Sequence, residues 1–410
     1  MRIALLLVCG TTLAAADPAS WGQLFQNGRF FDLRRALEPA SDNAGTLFFR
    51  GAIACRFGRE TAGIPLLRQF LGGQPPEAQA RRAYEEIAAA LARLGRYGEA
   101  GEAWNEALRL TPADDPDRDG NYNTRWLLDS LREVAPQTVE LAENAHAQAT
   151  HNSLGSWNVP VRVQGVEGDW IFDTGANIST VTESEARRIG LTVRDSKAYV
   201  GGSTGQKNAL RLAVADDLQI GGVRVHHVIL LVLADEALHI RPVHYQINGI
   251  LGLPVLRALG RIEISAAGAL RIRPPAHSAA GPNLFFEEQS PIVEIEHGSR
   301  RLQMFLDTGA NATVLYPSFR QAMSRDETAK IRTRKEKTAG AGRVLQRKTQ
   351  MLPTLTLALA GTAIDLSKVS LLTDMPQSGR FRDGVIGMDA LWKGFRLDFD
   401  AMRLELSAAQ

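Results

Sequence analysis

Cysteine is almost missing from this sequence, with only Cys9 and Cys55 in 410 residues. Cys9 lies in an N-terminal stretch with a charged start at Arg2, an apolar core from Ile3 to Val8 and Ala14-Ala15-Ala16 before Asp17. That order reads as a secretory signal over residues 1–16, with export to the periplasm or the medium as the expected destination. Val8 stands where a lipid-modified cysteine would want a small neighbour. Cleavage after Ala16 would leave Cys55 alone, which excludes an internal disulfide. Cys55 sits in the apolar stretch Phe48 to Phe57 and reads as a buried, inert thiol.

Charge of one sign is also lacking. The formal net charge is +2, so nothing electrostatic points to nucleic acid as a partner. The basic run Arg332-Thr-Arg-Lys-Glu-Lys337 reads as a solvated loop. No apolar run is long enough to span a bilayer. No His-Glu-x-x-His pattern, Gly-x-Ser-x-Gly elbow or phosphate-binding loop occurs, and His226, His227, His239 and His244 read as surface or packing residues. No metal and no cofactor is therefore expected. What is present, 44% hydrophobic and 22% charged residues, describes a globular protein of two or three domains.

Residues 17–145 carry helical periodicity. Turn-like stretches recur at Asn27-Gly28-Arg29-Phe30, Phe57-Gly58-Arg59-Glu60 and Leu94-Gly95-Arg96-Tyr97, their glycines 30 and 37 residues apart. The last unit continues through Trp104, Ala107-Leu-Arg-Leu110 and Pro112. This part resembles a tetratricopeptide-repeat module, whose period is about 34 residues. The resemblance implies a concave groove suited to a protein partner, or else a plain helical scaffold. The polar connection from Gln148 to Ser156 suggests that the helical segment is separable from the rest of the chain.

From about Trp157 short β-branched or alternating runs take over: Asn158–Val163, Asp169–Phe172, Leu218–Ile220 and Val223–Val225. A first β-lobe is expected over 150–273, a Pro- and Gly-rich linker over 274–282, and a second lobe over 283–410. The two β-segments repeat each other. Ile171-Phe-Asp-Thr-Gly-Ala-Asn177 matches Phe305-Leu-Asp-Thr-Gly-Ala-Asn311, and Gly249-Ile-Leu-Gly-Leu253 matches Gly384-Val-Ile-Gly-Met388. Asp173 to Gly252 spans 79 residues and Asp307 to Gly387 spans 80. Each motif has a physical reason. Two apolar residues end a buried strand and bring the aspartate to its tip. Thr174 and Thr308 carry short hydroxyls able to bridge facing loops. Gly175 and Gly309 allow a tight turn that presents N–H groups to a carboxylate. Gly252 and Gly387 permit close backbone packing against those loops.

These residues resemble the retropepsin-like aspartic peptidases of bacterial exported proteins, over about 157–273 and 283–406. The resemblance implies a multidomain protein: an all-α helical repeat, then an all-β double lobe of the pepsin and retropepsin kind. It implies an aspartic endopeptidase acting on a peptide or protein substrate, with Asp173 and Asp307 as the catalytic pair. Glycine-rich flaps are implied near Gly201 and Gly202 in one lobe and Gly340 and Gly342 in the other. Two alternatives stay open: lobes that pair between chains, and a silent peptide-binding pseudo-peptidase.

Overall fold

The computed structural model describes residues 18–41, 43–201, 207–274, 280–340, 343–376 and 381–407. The signal stretch, most of the expected linker, Gly202 and Gly342 lie outside the described residues. Seven helices come first: α1 (Pro18–Gln26), α2 (Phe30–Leu37), α3 (Leu47–Arg56), α4 (Glu60–Gly72), α5 (Glu77–Arg93), α6 (Tyr97–Arg109) and α7 (Arg118–Ser130). The three recurring glycines close α1, α3 and α5. Gly28, Gly58 and Gly95 have φ of 64°, 73° and 71°, a left-handed conformation that costs glycine least. The arginine after each donates its backbone N–H back into the helix: Arg29 to Leu24 O, Arg59 to Ala54 O and Arg96 to Leu91 O, at 2.8–2.9 Å. Among the described residues no helix is long and apolar enough to cross a membrane.

The β-region forms three main sheets. An eleven-stranded sheet draws its strands from Thr138 to Leu251, and an eight-stranded sheet runs from Leu284 to Ile386. In the first, Val166–Phe172 pairs in parallel with Gly249–Leu251, which pairs antiparallel with Ser179–Thr182. The second repeats this order: Arg300–Leu306 runs parallel with Gly384–Ile386, which lies antiparallel to Val314–Leu315. A five-stranded sheet joins the two units. Arg261–Ser265 of the first pairs with Gly394–Asp398 of the second, placing Ile262 opposite Leu397 and Ile264 opposite Phe395, all buried. Two strands that precede residue 150, Thr138–Glu140 and His146–Gln148, already belong to these sheets. The basic run from Arg332 is no loop but lies in the strand Arg332–Gly340, since alternating residues can serve a strand as well as a solvated turn.

The helical segment packs against the β-region. Phe30, Phe31 and Phe57 enclose Phe285 of the second β-unit, with ring centroids 5.3, 5.0 and 5.8 Å away. Trp21, Leu33, Ile53 and Ile292 complete that buried cluster. Truncating a buried phenylalanine of this kind costs about 3–5 kcal/mol. A buried ion triad spans the same seam. Glu60 accepts from Arg93 Nε at 2.9 Å and from Arg257 Nη2 at 2.8 Å, and both guanidiniums lie over the Phe286 ring. A polar connection says nothing about the helix faces, and here some of those faces share a core with the sheets while others form a core of their own.

Candidate active site

Each aspartate of the repeated motif stands where its strand ends. Asp173 N donates to Leu251 O at 3.1 Å and Asp307 N to Ile386 O at 3.0 Å, so both loops hang from the strand beside them. The following threonines lock the loops together. Thr174 N donates to Thr308 Oγ1 (3.0 Å) and Thr308 N to Thr174 Oγ1 (3.1 Å). Each hydroxyl passes its own proton across: Thr174 Oγ1 to Leu306 O at 2.8 Å, Thr308 Oγ1 to Phe172 O at 2.9 Å. Both threonines are fully buried, and every donor and acceptor in this four-bond exchange is satisfied. Serine could make the same bonds; valine at either position would take that hydroxyl from one buried N–H and one buried carbonyl.

The glycines serve the opposite carboxyl as well as their own. Gly175 N donates to Asp173 Oδ1 at 2.7 Å; Gly309 N and Ala310 N donate to Asp307 Oδ1, both at 3.0 Å. A Cβ added at Gly175 would stand 2.6 Å from Asp307 Oδ1, and one at Gly309 would stand 2.5 Å from Asp173 Cγ. Any side chain at either position would push the carboxyls apart.

Each carboxyl thus lies against the other motif's glycine, which brings the two side by side. Two carboxyls buried side by side resist ionising together, because each negative charge disfavours the other. Burial pushes Asp173 from its ordinary 3.8 up to about 8, helped by the negative charge of Asp307. Burial also raises Asp307, against the pull of the Ala310 and Gly309 N–H groups.

Gly252 and Gly387 hold the loops from behind. A Cβ on Gly252 would lie 2.6 Å from Ser179 N, and one on Gly387 would lie 2.6 Å from Ala312 C. The next residues close the contact, Leu253 N to Ala176 O at 2.8 Å and Met388 N to Ala310 O at 2.9 Å. Sequence reasoning missed two hydroxyls here. Gly252 N donates to Ser179 Oγ (2.9 Å) and Gly387 N to Thr313 Oγ1 (3.3 Å). Ser179 and Thr313 each stand six residues after their aspartate, a repeat that was there to be read. Ser156 Oγ, which bonds Gly309 O at 3.0 Å across the units, has no such signal.

The glycine-rich stretches belong to hairpins of unequal build. Gly201 ends the strand Arg194–Gly201, paired with Lys207–Ala215, and Gly340 ends Arg332–Gly340, paired with the longer Arg343–Leu359. Cys55 takes no part: it is fully buried, and burial pushes its thiol up to about 12. Among the described residues no group of three or more His, Cys, Asp or Glu is placed to hold a metal ion.

Residues 159–255 match the model of a family described as aspartyl protease. The matched span contains Asp173 and Gly252 and ends before the second β-unit, so Asp307 lies outside it. No curated protein matches the chain.

Proposed function

We propose that this chain is an exported aspartic endopeptidase whose single active site is the Asp173/Asp307 pair. On this reading the β-units are tandem lobes of the pepsin and retropepsin kind, behind a tetratricopeptide-like helical domain. One observation carries the proposal: the threonine exchange that ties together the two loops, one from each unit, whose carboxyls we read as a proton-sharing pair. A purely structural Asp-Thr-Gly turn needs no partner carboxyl, and burying two of them together is costly.

The chemistry derives from one proton on two carboxyls. The unprotonated carboxylate takes a proton from a water molecule as its oxygen attacks the scissile carbonyl carbon. The protonated carboxyl donates its hydrogen to the carbonyl oxygen, giving a neutral gem-diol. Collapse of that intermediate breaks the C–N bond: one gem-diol hydroxyl gives its proton to the carboxylate of the pair while the leaving nitrogen takes the proton from its carboxyl, and the one-proton state returns. These steps use neither a metal nor a covalent intermediate. Joining of both units by one five-stranded sheet favours a site within one chain over pairing between chains.

Active-site titration with a statine-type inhibitor, run beside a turnover assay, tests the proposal. One inhibitor per chain with peptide turnover is expected. Stoichiometric binding without turnover would leave only a peptide-binding protein, and neither would refute the site.

A further inference from the structure

A cavity of about 340 Å³ lies where the helical domain meets both β-units. One wall is helical: Leu94 and Tyr97 around the α5–α6 turn, and Leu127 of α7. The opposite wall is Asn177 and Ile178, the fourth and fifth residues after Asp173, and Gln289 of the second β-unit also reaches it. The cavity is therefore continuous in chain with the loop that carries one carboxyl. Its size is near the lower end of ligand pockets, which run from about 300 to 1,000 Å³. That suits one or two side chains rather than a whole cofactor. Its lining is mainly apolar, and its polar groups are the amides of Gln137, Asn177 and Gln289, the His227 imidazole and the guanidiniums of Arg93 and Arg257, which already pair with Glu60. An apolar side chain has surface to bury there and a peptide backbone has amides to bond.

We propose that this cavity is a substrate subsite built by the helical domain, which takes an apolar side chain remote from the cleaved bond. The proposal rests on the peptidase reading only in taking a peptide as the ligand. It is one-sided. Asn311, the counterpart of Asn177, has Gly155 of the first β-unit beside it, and no residue of its loop lines the cavity. The extra selectivity should therefore fall on one side of the scissile bond and not on the other. The helical segment then acts as part of the substrate groove and not as a remote tether.

The test uses the full chain carrying Asp307→Asn as a trap. A randomised peptide library is captured, the bound peptides are sequenced, and the capture is repeated with Leu127→Trp and Leu127→Gln added separately. Trp fills the cavity; Gln keeps the side-chain length and removes its apolar character. The trap should enrich Leu, Ile or Phe at one remote position by roughly tenfold or more, a range one apolar contact can supply. Both added variants should lose that enrichment while preferences next to the cleaved bond persist. No capture, a flat profile, or a preference that survives both variants overturns the subsite. Captured peptides that the wild-type chain never cuts would overturn the peptidase reading alone and leave the subsite standing.

Discussion

Asn123 of α7 brackets the backbone of Tyr199: its Nδ2 donates to Tyr199 O at 2.9 Å and its Oδ1 accepts from Tyr199 N at 2.7 Å. A single side chain thus gives this edge strand the pair of bonds that a neighbouring strand would supply. Tyr199 lies two residues before Gly201, toward the turn end of the glycine-rich hairpin. Asn123→Ala should loosen that strand. Two bonds worth about 0.5–1.5 kcal/mol each are lost, too little to unfold the chain. Hydrogen exchange should speed up across 194–201, and KM should rise more than kcat falls. Unchanged exchange in that strand would show that the helix does not hold it.

The Glu60–Arg93–Arg257 triad should be a point of failure. Burial would raise the Glu60 carboxyl, but Arg257 and Arg93 overcome it and hold the group below its ordinary 4.5. Glu60→Gln leaves two guanidiniums at the seam without their counter-charge, which costs about 3–5 kcal/mol. Denaturant unfolding should show that loss in one cooperative transition. Because the folded carboxyl is the stronger acid, its contribution is present above pH 4.5 and fades as pH falls through the lower folded value. Separate transitions for helices and sheets would contradict the shared core.

How much of this was legible depended on the range of each constraint. The glycine turns at 28, 58 and 95 and the Asp-Thr-Gly-Ala-Asn repeat are local, because the backbone geometry is written within a few residues. The threonine exchange could be anticipated because the two motifs are identical, so whatever one loop offers the other can accept. The seam could not. Phe285 looks like any strand residue, and nothing near it in sequence names Phe30 or Phe57 as neighbours. Asn123 and Arg93 look like solvated helix residues until the fold brings Tyr199 and Glu60 to them. Long-range partners of polar groups leave no period in the sequence.

The carboxyl pair should make stability fall as pH rises. Unfolded, both groups lose their protons near 3.8; folded, Asp173 is pushed up to about 8 and Asp307 is raised as well. The folded state binds more protons across that window, so raising pH through it favours unfolding. Asp307→Asn removes the repulsion. That variant should melt above the wild type near pH 8, and the gap should close toward pH 4. Turnover by the wild type should decline through the upper end of the same window. A gap independent of pH would mean that the carboxyls do not share a proton.

Turnover by Asp173→Asn, Asp307→Asn, the double variant and an equimolar mixture of the two single variants tests one shared site within one chain most directly. Each single change should lower kcat/KM by about 10³-fold or more with the fold retained. The double variant should be no worse than either, since both residues serve one unit. The mixture should stay inactive. Near-native turnover by either single variant, or activity recovered on mixing, would contradict the account.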